Sequence, residues 1–492
     1  MKIFKYTFLS NEISIFMRIL KTTKSLCPEC LNVIDAEIYE DNGVVFIRKT
    51  CPKHGYFEDI YWSDYKLFEM VNKYEYIGDG IKNPRTDNKL GCPYDCGICP
   101  THKSHTVLAI IDVTNRCNLR CPICFANAAA TGYVYEPTID EIREMLKNLR
   151  SNQPVAPNSI QFSGGEPTVR DDLPEIISMA KELGFHHVEV NTNGIRIAKD
   201  PDYLKKLLDA GLSTLYLQFD GLSPEPYITA RGVNLLDIKL KVIENARKLG
   251  LDSIVLVPTV VRGVNDNQIG SIIKFAANNS DVVRGVNFQP VSITGRIDRE
   301  KLKEMRITIP DVIKLAEEQT NGELKASDFY PIPVVVPISK AIGAIKGRRY
   351  QEFTNHQHCG MATLIISENG KITPITRYVN VEKFMESMKK IYESNSGIKS
   401  KLYLINALRY VSFSMIKELL LPVFLHGDYD SLGNFMRRVV LIGCMHFMDP
   451  YNFDLERVQR CTIHYAVPNG KIIPFCTMNS IHRPTIERMY SK

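Results

Sequence analysis

Residues 115–125 read Asn-Arg-Cys-Asn-Leu-Arg-Cys-Pro-Ile-Cys-Phe and space Cys117, Cys121 and Cys124 as Cys-x3-Cys-x2-Cys. Residues 110–114 just before this loop, Ile-Ile-Asp-Val-Thr, are mostly apolar and typical of a short buried strand. Three thiolates on one tight loop can bind three irons of a cubane cluster, and a missing fourth ligand leaves one iron free to bind another molecule. A zinc knuckle needs four protein ligands, which the loop does not supply. The sequence therefore predicts an iron–sulfur cluster with chemistry at its open iron.

This cysteine loop resembles that of the radical S-adenosylmethionine (SAM) superfamily, in which it follows the first strand of a partial (β/α)6 barrel. The resemblance implies that Cys117, Cys121 and Cys124 are the catalytic ligands of a [4Fe-4S] cluster. It also implies that the reduced cluster cleaves SAM to give a 5′-deoxyadenosyl radical, which abstracts hydrogen from the substrate. Six apolar runs, each followed by a helical pattern, agree with such an α/β barrel. They occupy residues 107–114, 159–163, 187–191, 214–219, 253–260 and 286–290.

Polar segments follow several of these strands, at the end where a parallel barrel binds its ligands. The segment Gly-Gly-Glu-Pro at 164–167 resembles the second motif of the superfamily, in which glycines give the backbone access to the amino group of SAM and the carboxylate faces a cation. Polar residues at two later strand ends are candidates for the ribose and carboxylate of SAM. Ile123 departs from the family, which usually has an aromatic residue before the third cysteine. The predicted SAM-binding residues are Gly164, Gly165, Glu166, Pro167, Asn193, Gln218 and Asp220.

Six further cysteines lie upstream of the loop and predict an N-terminal metal module. Two short segments, Cys27-Pro28-Glu29-Cys30 and Cys51-Pro52-Lys53-His54, look like paired metal knuckles, and a third cysteine group precedes His102. Six thiolates exceed one tetrahedral site, so we expect one mononuclear iron or zinc with four ligands, the rest binding a second cluster. Either His54 or His102 could complete a set. The predicted upstream ligands are Cys27, Cys30, Cys51, Cys92, Cys96 and Cys99.

A weak internal repeat marks the C-terminal third. Residues 369–374 read Asn-Gly-Lys-Ile-Thr-Pro and residues 469–474 read Asn-Gly-Lys-Ile-Ile-Pro, each preceded by a cysteine. Asn-Gly between apolar runs predicts a hairpin. Four cysteines in this region could close an auxiliary [4Fe-4S] cluster, with buried core cysteines as the alternative. The predicted ligands of this cluster are Cys359, Cys444, Cys461 and Cys476.

Length and composition limit the other possibilities. The chain has 492 residues and a net charge of +6, too dilute to predict a nucleic-acid partner. We expect three parts: a metal module at 1–105, the barrel at 106–325 and a C-terminal auxiliary-cluster and substrate-binding domain at 326–492. Neither a signal peptide nor a membrane span is predicted. We expect a cytoplasmic protein, with peripheral contact at the inner membrane face left open.

Taken whole, the cysteine pattern resembles that of archaeal tetraether lipid synthases. The resemblance implies three [4Fe-4S] clusters, a rubredoxin-like mononuclear iron, and an electron donor such as ferredoxin or flavodoxin. It also implies carbon–carbon coupling of the terminal methyl groups of archaeal diether lipids. The apolar residues 402–425, with Met415, Leu419, Leu420 and Phe424, would then line a hydrocarbon tunnel or simply form a buried helix.

Three other functions remain open at this point. Similar chains have been read as radical SAM methyltransferases acting on a 7,8-dihydro-6-hydroxymethylpterin-type precursor of tetrahydromethanopterin. Such a substrate requires a small cavity with convergent polar groups, whereas a lipid requires a long apolar tunnel. A peptide or RNA substrate is a further reading, and a non-catalytic zinc or iron–sulfur module is the last.

Overall fold

The computed structural model describes residues 17–368, 370–394, 397–415 and 438–491. Two predictions concern residues that lie partly outside these ranges. The N-terminal segment considered as a signal peptide includes residues 1–16, and the tunnel residues Leu419, Leu420 and Phe424 lie within 416–437, so both are outside the described residues. Across the described residues, no helix is both long and apolar enough to cross a membrane.

The N-terminal module is a four-stranded antiparallel sheet of β1 (Arg18–Leu26), β2 (Val33–Asp41), β3 (Val44–Cys51) and β4 (Gly55–Trp62). Alternate residues of β3 are buried, among them Val45 and Ile47, because one face of the sheet packs on the rest of the protein. Helix α1 (Tyr65–Asn72) follows, and the carboxylate of Asp64 caps it by accepting from the backbone N–H of Leu67 at 2.8 Å.

Six parallel strands form the barrel predicted from the sequence. Neighbouring strands follow one another in chain order and are joined by helical connections, as expected of β/α units. The short strand β10 (Thr259–Val260) pairs only with the last of the six. The barrel strands are β5 (Leu108–Thr114), β6 (Ser159–Gly164), β7 (His187–Thr192), β8 (Thr214–Gln218), β9 (Ile254–Val257) and β11 (Val283–Pro290).

The helices cover the outer face of these strands. Helix α2 (Ile139–Arg150) shows why: Thr138 and Glu141 form a capping box at its start, and Ile142, Met145 and Leu149 recur at helical spacing on its buried face. The other helices of this region are α3 (Leu173–Glu182), α4 (Ile195–Lys199), α5 (Pro201–Asp209), α6 (Pro224–Arg231), α7 (Leu236–Leu249), α8 (Ile269–Asn278), α9 (Leu302–Met305) and α10 (Ile309–Gln319).

The C-terminal strands extend the barrel sheet at both of its edges. Strand β15 (Val439–Met445) pairs in parallel with β11, and β16 (Ile463–Ala466) pairs in parallel with β5 at the opposite edge. The boundary predicted at residue 326 therefore divides one continuous 13-stranded sheet. The remaining elements are β12 (Tyr330–Pro331), α11 (Val336–Lys346), β13 (Gly360–Glu368), β14 (Lys371–Pro374), α12 (Val381–Glu393), α13 (Gly397–Leu408), α14 (Phe413–Met415), α15 (Leu455–Gln459), β17 (Ile472–Pro474), α16 (Phe475–Thr477) and α17 (Arg483–Met489).

Both hairpins predicted from Asn-Gly are confirmed. Strand β13 pairs antiparallel with β14, and β16 pairs antiparallel with β17. The two hairpins lie at opposite edges of the sheet, because β13 also pairs with β15 whereas β16 pairs with β5. The internal repeat is thus a repeat of local structure at two distant places.

Candidate active site and metal centres

The cysteine loop follows β5 and is fixed at several points. Backbone hydrogen bonds of 3.0 and 2.9 Å join Cys124 to Arg296, whose guanidinium also donates to the carbonyl oxygen of Cys121 at 2.6 Å. All three thiols are partly exposed. Burial nevertheless raises the pKa of Cys117 to about 12 and also raises that of Cys121. Thiolates here need a bound cation, and the donor set of three fits a [4Fe-4S] cluster with one open iron.

Gly164 and Gly165 are required by a close approach of two backbones. A Cβ on Gly164, which has φ of +130°, would lie 2.1 Å from the carbonyl oxygen of Thr114, and one on Gly165 would lie 2.2 Å from that of Arg116. The backbone N–H of Gly165 donates to Thr114 across this contact at 2.7 Å. Contact between this backbone and the amino group of SAM stays a prediction. The close approach to the cysteine loop is a second reason why no side chain fits at either position.

The side chain of Glu166 links the end of β6 to the end of β7 by hydrogen bonds. Its side chain is buried, and it accepts from the hydroxyl of Thr192 and the backbone N–H of Asn193, both at 2.7 Å. The hydroxyl of Thr168, in the short 3-10 turn that begins at Pro167, also donates to it. Within the described residues its hydrogen-bond donors are neutral, and the predicted pairing of this carboxylate with a cation stays a prediction. Glu166 thereby positions the loop that follows β7.

Asn193, Gln218 and Asp220 do converge at the strand ends: the amide of Gln218 donates directly to Asp220, and the buried Lys239 links Gln218 to Asn193. The amide of Asn193 donates to the side-chain oxygen of Asn118 in the cysteine loop at 2.6 Å. The ammonium group of Lys239 donates to Gln218 at 2.7 Å and to the carbonyl oxygen of Asn193. Burial lowers the pKa of Lys239 to about 7, although nearby Asp220 raises it.

Arg231 completes this network. It forms two hydrogen bonds to Asp220, of 2.7 and 2.8 Å, and a third to the carbonyl oxygen of Ile123 in the cysteine loop. Sequence analysis missed Arg231 and Lys239, because a basic residue on a helix looks the same in sequence whether it points inward or outward. An open cleft of about 500 Å³ adjoins the network, lined by Asn115, Cys117, Asn118, Thr131, Tyr133 and Val169 among others.

Strands β7, β8 and β11 have two contrasting faces. The face under the helices is apolar and buried, with Val188, Val190, Leu215, Leu217, Val286 and Phe288. Alternate residues of a strand point to the opposite face, which here is the barrel interior. Those residues are polar and partly exposed: Glu189, Asn191, Tyr216, Gln218, Asn287 and Gln289. The alternation of polar residues within the predicted strands was the available signal, and sequence analysis did not use it.

The N-terminal module brings four ligands together. Cys27, Cys30, Cys51 and His54 have their ligand atoms within 4.8 Å of one another. The Nδ1 of His54 lies 3.5 Å from the sulfurs of Cys27 and Cys51, and Cys30 and Cys51 are 4.0 Å apart. Zinc bonds of usual length in a tetrahedron place two sulfurs about 3.8 Å apart. The set fits one mononuclear metal, with a histidine in place of the fourth cysteine of a rubredoxin.

Six of the seven remaining cysteines form two groups of three. Cys92, Cys96 and Cys99 line one small cavity together with His102. The thiols of Cys359, Cys461 and Cys476 lie close enough to interact electrostatically, and burial raises the pKa of Cys461 to about 12. The guanidinium of Arg457 donates to Cys359 at 3.5 Å. Each group offers three thiolates, a donor set that fits an iron–sulfur cluster.

Cys444 does not join the downstream group. It lies in β15 opposite Phe288 of β11 and belongs to the hydrophobic core under the helices, with Asp311 of α10 as its nearest charged influence. Strand alternation explains this, because Cys444 points to the outer face of the sheet. The structure therefore places the fourth predicted ligand of the auxiliary cluster among apolar side chains.

Two family models and several known proteins match this chain. A family model described as the radical SAM superfamily matches residues 111–276, and an HMPTM N-terminal zinc ribbon domain matches residues 19–63. A 7,8-dihydro-6-hydroxymethylpterin dimethyltransferase of Methanocaldococcus jannaschii is 54% identical over 489 residues, 96% of each chain. A probable GTP 3′,8-cyclase of Methanococcus maripaludis is 32% identical over 42% of this chain and 64% of its own. SuiB of Streptococcus suis, a solved structure, has a TM-score of 0.37 and 19% identity over 45% of this chain and 47% of its own.

The near full-length relative contradicts two predictions. Coupling of diether lipids to tetraether or macrocyclic lipids was wrong as the reaction, and an archaeal diether lipid was wrong as the partner, because that relative is named for methylation of a pterin. The physical reason for the error is that the quoted cysteine motifs report on clusters and SAM. They carry no information about the substrate.

Proposed function

This chain belongs to the radical SAM superfamily, in one family with the M. jannaschii pterin dimethyltransferase. From that premise we propose that it methylates a 7,8-dihydro-6-hydroxymethylpterin. The carrying observation is 54% identity over 96% of both chains. The polar interior of the barrel supports it, because a pterin needs convergent donors and acceptors in a confined space.

The residues of the chain have distinct tasks in this reaction. Cys117, Cys121 and Cys124 would hold a [4Fe-4S] cluster, which with bound SAM supplies a 5′-deoxyadenosyl radical able to remove hydrogen from carbon. Glu166 orients the backbone of Asn193 through its 2.7 Å hydrogen bond. Lys239 and Arg231 hold Gln218 and Asp220 at the adjacent strand ends. The barrel walls would exclude water from the reacting carbon.

The other metal sites are part of the proposal. We assign zinc to Cys27, Cys30, Cys51 and His54, since three thiolates and one imidazole in a tetrahedral arrangement suit that ion. We assign one further iron–sulfur cluster to each group of three cysteines, giving three clusters with the catalytic one. Their chemistry is electron relay or substrate contact. The electron donor, ferredoxin or flavodoxin, stays a prediction.

The test is a turnover assay with anaerobically reconstituted holoenzyme, SAM as radical source, a reductant and 7,8-dihydro-6-hydroxymethylpterin. The methyl group is supplied in parallel assays by a second molecule of SAM, which would leave S-adenosylhomocysteine, or by a reduced folate-type one-carbon carrier. We expect 5′-deoxyadenosine and methylated pterin, detected by mass spectrometry. Changing Cys117, Cys121 and Cys124 together to Ala should abolish both, whereas the matched variant Cys444→Ala should retain both. SAM cleavage without any methylated pterin would overturn the proposed substrate, and SAM cleavage by the triple variant would overturn the cluster assignment.

A further inference from the structure

A carboxylate lies in the interior of the barrel with a histidine and an amide as its partners. Glu189 is in the middle of β7, and its side chain is 15% exposed. Its two oxygens receive one contact each: from the amide of Gln161 and from the imidazole of His187, both at 3.0 Å. Within the described part of the chain, no lysine or arginine pairs with it. An ionised carboxylate accepts about four hydrogen bonds, so both oxygens keep free lone pairs.

A second polar group faces the interior from the neighbouring strands. Asn191 of β7 lies beside Tyr216 of β8 in the register of the sheet. The phenol oxygen of Tyr216 accepts from the amides of Asn287 and of Gln289, the latter at 3.1 Å. Because that oxygen already accepts twice, its own hydrogen remains available to a third group. The side-chain carbonyls of the two amides add acceptors at the same place.

These two groups complement the two edges of a pterin. The 2-amino group and the N3–H of a pterin form an edge with two donors, which matches the two oxygens of a carboxylate. The remaining ring nitrogens and carbonyl oxygen need a mixed set of donors and acceptors, which a tyrosine and two amides provide. We propose that Glu189 recognises the aminopyrimidine edge of the substrate and that Tyr216, Asn287 and Gln289 contact the rest of the ring. The inference rests on the proposed function and assigns its specificity to these residues.

The position along the strands gives the substrate an orientation. Glu189 precedes Asn193 by four residues, which is about 13 Å along a strand. A hydrogen bond of about 2.9 Å and a bicyclic ring fill most of that length. With the aminopyrimidine edge at Glu189, the second ring points to the strand ends, where the cysteine loop and Asn193 lie. Recognition and reaction therefore take place at opposite ends of the same ring.

The inference is tested by comparing two ligands, with and without the 2-amino group, on wild type and on a variant in which the carboxylate of Glu189 is an amide. The holoenzyme and its Glu189→Gln variant are titrated anaerobically with 7,8-dihydro-6-hydroxymethylpterin and with the analogue in which oxygen replaces the 2-amino group. We expect wild type to prefer the amino form by at least about 10-fold. An amide offers one acceptor and one donor, so the variant should lose this preference or reverse it. The matched control is Glu182→Gln on the exposed face of α3, which should bind as wild type.

A second variant, Tyr216→Phe, tests the inference even if Glu189→Gln does not fold. Tyr216→Phe should weaken binding of both ligands several-fold and leave their ratio unchanged, because the phenol contacts another part of the ring. It should raise KM for the pterin more than it lowers kcat. An unchanged amino-to-oxo ratio in Glu189→Gln, or unchanged binding in Tyr216→Phe, would overturn the inference while leaving the proposed function intact. Failure of wild type to bind either ligand would overturn both.

Discussion

Glu166 and Asn193 end neighbouring strands and are joined by a 2.7 Å hydrogen bond from the backbone N–H of Asn193 to the Glu166 carboxylate. The second carboxylate oxygen accepts from Thr192 and Thr168. One buried side chain thus sets the relative position of the loops after β6 and β7. The same loops carry the residues predicted to bind SAM, so their spacing depends on this carboxylate.

Replacing Glu166 with Gln should weaken both stability and SAM binding. The amide group supplies only one acceptor oxygen, so at least one of the donors from Thr192 and Asn193 loses its partner, at a cost of about 1–3 kcal/mol. Thermal unfolding and equilibrium binding of SAM to the anaerobic holoenzyme measure the two effects. Glu175→Gln, on an exposed position of α3, is the control. Wild-type SAM affinity in Glu166→Gln would refute the positioning role.

Cys476 and Cys444 should differ in their effect on iron content. Cys476 lies with Cys359 and Cys461, whereas Cys444 is packed in the core. We expect Cys476→Ala to lose the iron and sulfide of one cluster, and Cys444→Ala to keep both at a cost of about 1 kcal/mol in stability. Iron and sulfide analysis after reconstitution decides the matter. Equal iron loss in both variants would restore Cys444 to the ligand set.

Lys239 should make stability depend on pH. Burial lowers its pKa to about 7, with Asp220 opposing, from an ordinary value near 10.5. Between these two values the unfolded chain binds more protons than the folded protein, so the free energy of unfolding rises with pH in that window. The free energy of unfolding of wild type, relative to that of Lys239→Met, should rise by up to about 1.4 kcal/mol per pH unit.

Denaturant unfolding of both proteins at about pH 8 and pH 9 measures this difference. The control is Lys241→Met, because Lys241 lies exposed on the same helix, α7. The free-energy difference between wild type and Lys241→Met should stay constant over the same interval. A constant difference for Lys239→Met as well would show that the buried amine keeps an ordinary pKa.

Arg306 should be among the most sensitive positions for stability. It is buried between Asp59 of β4 at 2.6 Å and Asp449 beyond β15 at 2.8 Å, so it links the N-terminal sheet to the C-terminal region. Arg306→Met leaves two carboxylates buried together and should cost about 3–5 kcal/mol.

The comparison is Arg247→Met, which breaks an exposed pair with Asp281 and should cost about 1 kcal/mol or less. Chemical denaturation of both variants measures the contrast. Similar midpoints would mean that the buried ion network contributes no more than a surface pair.

Sequence patterns predicted the barrel well because its signals are local. Each of the six strands combines an apolar run with a polar end, and the structure places all six in parallel order. The pairing of β15 with β11 and of β16 with β5 was not predictable in the same way. Those partners are far apart in the chain, and an Asn-Gly turn specifies a hairpin without specifying which sheet edge receives it.

In the candidate site, too, local sequence features were predicted and features set by distant parts of the chain were not. Cys117, Cys121 and Cys124 were predicted as cluster ligands from their spacing, and the structure places all three on the loop after β5. His54 was one of two histidines predicted to complete a metal site, and it lies with Cys27, Cys30 and Cys51. Cys444 was misjudged as a companion of Cys359, because sequence does not tell which face of an unassigned strand a residue occupies. The interior polar residues Glu189 and Tyr216 were not predicted, because they lie within strands and away from the polar strand ends that mark a ligand site in sequence.

The pairing of β15 and β16 with the two outer barrel strands also affects how the protein folds during synthesis. During synthesis, β11 leaves the ribosome about 150 residues before β15, which at usual elongation rates corresponds to roughly 10–30 s. Until then both outer strands of the nascent barrel have unpaired edges that can join other chains. Pairing of the final strands is thus the last step in forming the sheet, and Cys461 and Cys476, which flank the β16–β17 hairpin, reach their positions only at that step. A ribosome that stalls before residue 438 would release an aggregation-prone chain.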